Sequence, residues 1–247
     1  MKTISKIGKS IFAVYAIIIV ILSCLIVLPI YLIIFNFYPK DKAPFVAHKV
    51  SRFWAKFLFT LFFIRVIIKG KELIKPEQAY VFVCNHSSQL DIPLFAMACV
   101  NAFRFLSKIE VTKIPVMGYV VKKLYITVDR SDKDDRVKSI ERMKDSLLRE
   151  KISVVLFPEG TRNRTNHPLI DFKDGAFRLA IDSQLPMAVL TILNTKDFIP
   201  ANKFELKPGT VRAIWSEPIP TVGMTPSDLP ALKEKVRNIL LKNLENN

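Results

Sequence analysis

Residues 85–91, N-H-S-S-Q-L-D, contain the pair best suited to acid–base chemistry, His86 and Asp91, which stand five positions apart. A carboxylate beside an imidazole fixes the imidazole tautomer and stabilises the imidazolium that forms when a hydroxyl group gives up its proton. Five residues do not return to the same face of a helix, so the two side chains would have to meet across a turn. The residues alone also allow an aspartate that caps a helix and an unrelated polar histidine.

A second polar segment, F-P-E-G-T-R at 157–162, directly follows the apolar stretch S-V-V-L. A glycine such as Gly160 lets the backbone approach a ligand, and the hydroxyl of Thr161 can donate to an anion. The planar guanidinium of Arg162 matches a phosphate group. The segment therefore predicts an anion site, and its alternative is a turn with a surface arginine.

The composition favours anionic partners and argues against metal chemistry. Lysine and arginine number 37 against 22 acidic residues, a net charge of +15, and only Lys2, Lys6 and Lys9 of the basic residues precede residue 40. Phosphorylated small molecules, acidic proteins, anionic lipids and nucleic acid all remain open as partners. Three histidines and three cysteines without a C-x-x-C pair predict neither a zinc site nor disulfides, so we expect a reducing compartment.

The first 70 residues predict a membrane anchor of two helices. Residues 11–39 carry no charge, and as a helix they would extend about 43 Å against a hydrocarbon core of about 30 Å. Pro29 leaves both a straight span and a kinked or re-entrant hairpin open. Residues 53–68 are rich in aromatic side chains but include Lys56 and Arg65, which predicts an amphipathic helix lying at the headgroups or packed on the rest of the protein.

Residues 71–247 predict an α/β domain with a largely parallel sheet flanked by helices, because short β-branched runs alternate with helical stretches. Strands are predicted at 80–84, 103–107, 125–128, 153–157, 187–193 and 211–215. Helices are predicted at 91–101, 112–122, 134–151, 173–183 and 227–244. Ligands of such sheets bind at the carboxyl ends of the strands, and both polar segments follow predicted strands.

The order of these blocks resembles the glycerolipid acyltransferases, and the bacterial members in particular, over about residues 70–220. The family's N-H-x-S-x-x-D block stands at 85–91, its F-P-E-G-T-R block at 157–162, and K-D-G-A follows at 173–176. Its middle block is matched by Lys108, Pro115, Gly118, Asp129 and Arg130. The sequence departs from the family pattern at Leu124, where a glycine is usual, and at Val189, where a proline is usual.

The resemblance implies a role for each matched residue. His86 would be the general base, oriented by Asp91. The groups expected to bind the acceptor are Lys108, Arg130, Glu159, Gly160, Thr161 and Arg162.

The implied reaction transfers an acyl chain from acyl-CoA or acyl-carrier protein to the sn-2 hydroxyl of 1-acyl-sn-glycerol 3-phosphate, giving phosphatidic acid for phospholipid biosynthesis. No metal or cofactor is expected, since the acyl donor is a substrate. The expected location is the bacterial inner membrane, with the active site at the cytoplasmic face and lysophosphatidic acid and the bilayer as partners. Nucleic acid is not expected, because no recognised nucleic-acid motif is present.

Several alternatives stay open at this stage. The acceptor could be another lyso-lipid or glycerol 3-phosphate. The same pair, His86 and Asp91, could instead activate water in a hydrolase. A membrane-tethered binding protein with a degenerate histidine block is a further alternative. A covalent route through Ser87, Ser88 or Cys84 is disfavoured, because no G-x-S-x-G elbow is present. Residues 131–136 predict a solvated loop and helix start, His167 a loop position, and His48 a connector that faces headgroups.

Overall fold

The computed structural model describes residues 2–199 and 205–246, within which seven strands form one sheet. The strands are β1 Ile64–Lys69, β2 Val81–Cys84, β3 Phe103–Lys108, β4 Ile126–Val128, β5 Ser153–Leu156, β6 Met187–Ile192 and β7 Gly209–Trp215. Their order across the sheet is β1-β7-β6-β2-β5-β3-β4. Strands β2 to β6 run parallel, whereas β7 is antiparallel to β6 and carries β1 at the outer edge. The predicted largely parallel α/β architecture is confirmed.

Helices cover both faces of the sheet. They are α1 Lys2–Phe37, α2 Ala43–Leu61, α3 Asp91–Ala98, α4 Met117–Leu124, α5 Lys133–Leu148, α6 Gly175–Ser183 and α7 Leu229–Glu245. The residues of β2, β5 and β6 are all buried, as expected for parallel strands covered on both sides. Alternate residues point to opposite faces, so Phe82 joins an aromatic core with Phe95 and Trp215, whereas Val81 packs in a second core with Phe177.

The N-terminal segment forms one continuous helix, α1, which contains Pro29 without a break. The hairpin left open for residues 11–39 is therefore not formed, and the segment Ile11–Phe37 is long and apolar enough to cross a membrane. Helix α2 packs against α1 through two polar contacts. Tyr31 and Ser51 share a buried hydrogen bond of 2.6 Å between their hydroxyl oxygens, and Trp54 Nε1 donates to Ser23 Oγ at 2.9 Å. These bonds hold the two helices as a pair.

The amphipathic helix predicted for residues 53–68 is wrong beyond Leu61. The chain turns at Phe63, which has a φ of 51°, and then enters β1, which pairs with β7. Four of the six residues of β1 are β-branched, which favours a strand, but its partner lies far along the chain and leaves no local signal. β1 falls inside the range 1–70 assigned to the anchor, and the division into an anchor and a domain over 71–247 stays a prediction.

The placement of His48 in a connector facing headgroups is also wrong. His48 lies in α2, is buried, and accepts a hydrogen bond from the Phe103 N–H at 3.2 Å through Nε2. Burial lowers the pKa of His48 to about 3, so the imidazole is neutral at physiological pH. Its ring stands 4.1 Å from the Phe103 ring between centroids. His48 thus joins α2 to the sheet.

Helix α4 packs against the α1–α2 pair. Its Val120 and Leu124 are buried in one cluster with Tyr31 of α1, so the leucine that replaces the family glycine fills this core. At Gly118 the chain passes so close to Thr112 that an added Cβ would lie 2.1 Å from the Thr112 carbonyl oxygen. Only glycine fits at this position without movement of the backbone.

We expect Gly118→Ala to lower the free energy of unfolding by about 1–3 kcal/mol, because the methyl group forces α4 away from the preceding turn. Urea unfolding in detergent micelles, followed by circular dichroism, measures this change. Gly175→Ala is the matched control, since a Cβ there meets nothing within 4 Å. Equal stability of the two variants would show that the close approach at Gly118 carries no strain.

Candidate active site

Polar side chains gather where the parallel strands end. His86 follows β2, Glu159 follows β5 and Thr195 follows β6, while Lys108 ends β3 and Arg130 follows β4. Since these five strands run in the same direction, their carboxyl ends lie along one edge of the sheet, where ligands of such folds bind. The predicted site residues from both sequence blocks therefore share one edge.

His86 and Asp91 are in direct contact across the turn that follows β2. Nδ1 of His86 lies 2.8 Å from Oδ2 of Asp91, and the same oxygen accepts from the backbone N–H groups of Ser87 at 2.7 Å and Ser88 at 2.8 Å. Asp91 is the first residue of α3, yet its carboxylate turns back toward the histidine. The alternative of a capping aspartate with an unrelated histidine is therefore excluded.

The hydrogen bonds of Asp91 orient the imidazole of His86. The side chain of Asp91 is fully buried and accepts from His86, Ser87 and Ser88 and from the hydroxyl of Thr195. Because Oδ2 of Asp91 already faces two backbone N–H donors, it is best matched by the neutral tautomer of His86 that carries its proton on Nδ1, and in that tautomer the lone pair is on Nε2. Nε2 has no hydrogen-bond partner in the described part of the chain, and the histidine side chain is 15% exposed. This nitrogen can accept a proton from a bound hydroxyl group.

Aromatic rings hold the imidazole plane. The Phe157 ring stacks on His86 at 4.0 Å between centroids with an interplanar angle of 18°, and Phe105 stacks on Phe157 at 5.8 Å. Phe157 packs against the aromatic core that also includes residues of α1 and α2. The histidine is therefore supported on one face by an apolar stack that leads toward the N-terminal helices.

Glu159 binds the 157–163 loop to the histidine. One carboxyl oxygen accepts from the His86 N–H at 2.9 Å and the other from the Ile170 N–H at 3.1 Å. The carbonyl oxygen of His86 in turn accepts from the Asn163 N–H at 2.7 Å. Glu159 is 2% exposed, and burial raises the pKa of its carboxyl group. Both backbone polar groups of His86 are thus held by this one loop.

The predicted anion-binding groups differ in whether they already have a hydrogen-bond or ion-pair partner within the protein. Gly160 has a φ of 70°, and its carbonyl oxygen accepts from Nη1 of Arg130, which joins two strand ends. Arg162 is half-buried and its guanidinium has no hydrogen-bond or ion-pair partner within residues 2–199 and 205–246, while Thr161 is exposed. Lys108 is exposed and pairs with Glu110 at 2.8 Å. Arg162 is therefore available to a ligand without breaking an internal contact.

The acidic cluster near Arg130 is structural, as predicted. Asp132 caps α5 by accepting from the N–H groups of Asp134 at 2.8 Å and Asp135 at 3.3 Å. Asp135 accepts from the Asp129 N–H at 2.7 Å, which fixes the residue before Arg130. The loop position predicted for His167 is also confirmed.

A family model described as Acyltransferase matches residues 65–193 of this chain. The chain belongs to this family. It is therefore an acyltransferase, and its long apolar α1 helix agrees with a membrane-associated member of the family.

Individual relatives agree with the family match. The chain is 31% identical to the human 1-acyl-sn-glycerol-3-phosphate acyltransferase alpha over 194 residues, which is 78% of this chain and 68% of the relative. It is 32% identical to a Chlamydomonas reinhardtii 1-acyl-sn-glycerol-3-phosphate acyltransferase over 176 residues, 70% of this chain and 52% of that protein. The crystal structure of the Thermotoga maritima 1-acyl-sn-glycerophosphate acyltransferase shares the fold, with a TM-score of 0.82 at 24% identity over 98% of each chain.

Two contacts of this acyltransferase were not predicted from its sequence. Asn85 holds the end of β2 to β6, because its side chain donates to the Ile192 carbonyl oxygen at 2.7 Å and accepts from the Ile192 N–H at 2.8 Å. Thr195 donates to Oδ1 of Asp91. Their partners lie 107 and 104 residues away along the chain. The order of the strands creates both contacts, and no local pattern indicates them.

We expect Glu159→Gln to lower the free energy of unfolding by about 1–3 kcal/mol, because glutamine turns an amide N–H₂ group toward one of the two backbone donors. The loss depends on pH. Since the pKa of Glu159 is raised from 4.5 in the folded state, the folded protein binds more protons than the unfolded chain just above pH 4.5. The wild type therefore loses stability relative to the variant as pH rises through this raised pKa.

Urea unfolding at a series of pH values tests this expectation. Glu141→Gln is the matched control, since Glu141 is exposed on α5. A gap between wild type and Glu159→Gln that does not change with pH would contradict the assignment of Glu159 as the titrating group.

Proposed function

We propose that this acyltransferase moves an acyl chain from acyl-CoA or acyl-carrier protein to the sn-2 hydroxyl of 1-acyl-sn-glycerol 3-phosphate, giving phosphatidic acid. The observation that carries the proposal is the pairing of His86 with Asp91, which leaves Nε2 free on the edge that also presents Arg162. The names of the human and algal relatives support the acceptor. A lysophospholipid of this kind offers one hydroxyl to the base and one phosphate to the cations.

In the proposed reaction Nε2 of His86 takes the proton of the acceptor hydroxyl as its oxygen attacks the thioester carbonyl carbon. A carbon–oxygen ester bond forms, the carbon–sulfur bond breaks, and the thiol leaves with the proton that the imidazolium returns. Asp91 stabilises the imidazolium formed between these steps. No metal or redox group takes part in this scheme.

Cationic and backbone groups would bind the acceptor phosphate. Arg162 has its full set of donors available for a bidentate contact, and Arg130 approaches the same loop through its bond to Gly160. Thr161 would add a hydroxyl donor, and Lys108 would exchange its ion pair with Glu110 for the phosphate. Glu159 would contribute by holding the loop that carries these groups.

Direct transfer is favoured over an acyl-enzyme. Ser88 is buried and its hydroxyl accepts from the Leu90 N–H, while the hydroxyl of Ser87 lies near Thr195. Burial raises the pKa of the Cys84 thiol well above its usual value, so this thiol stays protonated. None of these three groups has the bond to Nε2 of His86 that an activated nucleophile needs.

The N-terminal helices would place the reaction at the membrane surface. α1 exposes large apolar side chains, among them Ile11, Ile21, Leu25, Ile26 and Phe37, which suit contact with lipid. Both the acceptor and the product are membrane lipids, so a site beside these helices meets them without extraction into water. We place the enzyme at the inner membrane of a bacterium with the site on the cytoplasmic side, where acyl-CoA and acyl-carrier protein are made.

We expect His86→Ala to lower phosphatidate formation by about 10²- to 10⁴-fold, the contribution typical of a general base. The measurement uses detergent-purified enzyme, lysophosphatidate, and acyl-CoA or acyl-carrier protein donors in parallel. His167→Ala is the matched control, because this exposed histidine lies in the loop that also carries Arg162 and does not contact Asp91.

The outcomes separate the rival functions. Equal activity of His86→Ala and wild type would remove the histidine from the mechanism. Product formed with another lyso-lipid or glycerol 3-phosphate but not with lysophosphatidate would overturn the acceptor. Thioester loss without any acceptor would indicate a hydrolase.

We expect Arg162→Ala to raise the KM for lysophosphatidate by about 10- to 100-fold, the equivalent of one lost charge-assisted hydrogen bond, while the KM for the donor changes little. Arg130→Ala should act in the same direction. Steady-state kinetics with each substrate varied in turn separates the two constants.

Arg149→Ala is the control for loss of charge, since Arg149 follows the C-terminus of α5 and stands shortly before the start of β5, at the edge of the sheet away from the site. A normal KM for lysophosphatidate in both site variants would contradict the phosphate assignment. An equal rise in Arg149→Ala would indicate a general effect of charge.

A further inference from the structure

We propose that Thr195 is a positioning residue of the acyl transfer, holding the Asp91 carboxylate in the orientation that presents Oδ2 to Nδ1 of His86. The inference rests on the proposed function, in which His86 is the base. It starts from the bond between the Thr195 hydroxyl and Oδ1 of Asp91, two side chains that are both fully buried.

The two carboxylate oxygens of Asp91 accept different numbers of hydrogen bonds. Oδ2 receives three donors, from Ser87, Ser88 and His86, whereas Oδ1 receives Thr195 alone among the described residues. A buried carboxylate oxygen without a donor is costly, and the group would turn to share the donors of its other oxygen. Thr195 therefore sets the rotation of the carboxylate about its Cβ–Cγ bond.

The direction of the bond follows from the charge of Asp91. An ionised carboxylate can only accept, so the Thr195 hydroxyl donates its proton to Oδ1. Its oxygen is then free to accept, and the hydroxyl of Ser87 lies 3.4 Å away.

Thr195 is itself held rigidly by the neighbouring strand. The side chain of Asn194 donates to the Thr210 carbonyl oxygen at 2.9 Å and accepts from the Arg212 N–H at 3.0 Å, so it continues the pairing of β6 with β7 past the end of β6. Thr195 then begins a short 3₁₀ turn, Thr195–Asp197. A line of contacts thus runs from β7 through Asn194 and Thr195 to Asp91 and the imidazole, and this support fixes the threonine hydroxyl where the carboxylate needs it.

The matching experiment compares Thr195→Val, which keeps the shape and removes the hydroxyl, with Thr195→Ser, which keeps the hydroxyl. We expect the valine variant to lose about 10- to 100-fold in kcat, the equivalent of one lost hydrogen bond to a charged group. The KM for lysophosphatidate should stay within about twofold, since Thr195 does not touch the acceptor site. The serine variant should recover most of kcat.

Thr221→Val is the matched control. Thr221 is also fully buried and its hydroxyl donates to the Leu185 carbonyl oxygen at 2.7 Å, away from the strand ends that carry the site. It loses a comparable buried hydrogen bond, so its thermal unfolding shows what the loss of packing and bonding alone does. Its kcat should match the wild type.

Three results would overturn the proposal: normal kcat in Thr195→Val, an equal fall in Thr221→Val, or a serine variant as impaired as the valine variant. His86→Ala assayed beside them separates this inference from the proposed function. If His86→Ala stays active, the base assignment fails. If His86→Ala is inactive while Thr195→Val is normal, only the role of Thr195 fails.

Discussion

A fully buried negative charge sets the requirement that organises this edge of the sheet, because ionised Asp91 has to receive hydrogen bonds on both of its oxygens. The donors come from two places: the turn after β2 supplies His86 and two backbone N–H groups, and the turn after β6 supplies Thr195. The charge can be buried only if β2 and β6 are neighbours, as they are. The hydrogen bonding of this one carboxylate therefore depends on the order of the strands.

The candidate site and the N-terminal helices share one apolar core, which fixes the distance between His86 and the exposed apolar side chains of α1. Ala13 and Ala16 of α1 pack in the same cluster as Phe82 of β2 and Trp215 of β7, and Phe157, which stacks on the histidine, lies against that cluster. Close-packed interiors transmit displacement instead of absorbing it. Because α1 is continuous with this core, it holds His86 at a fixed distance from its own exposed apolar face, which a flexible tether would not do.

Sequence reasoning located the parts of the molecule whose cause is local. The central strands are apolar runs because both faces of the sheet are covered, and the blocks containing His86 and Arg162 carry their chemistry within a few residues. Prediction from the sequence failed where a residue's structure depends on a partner far along the chain. The strand at Ile64–Lys69 exists because β7 pairs with it, and the burial of His48 depends on its contact with Phe103 of β3. The contact of Thr195 with Asp91 likewise follows from strand order, which periodicity does not encode.

The F-P-E-G-T-R block shows why a motif cannot be assigned a single role. Both carboxyl oxygens of its glutamate accept hydrogen bonds from backbone N–H groups, and this side chain is buried. Its arginine, three positions later, has no partner among the described residues. A group whose bonds are all satisfied internally gains little by meeting a ligand, and an unpaired guanidinium gains much. Within this six-residue segment, Glu159 holds the loop and Arg162 is the residue proposed to bind the anion, and their hydrogen bonds distinguish the two roles where the sequence does not.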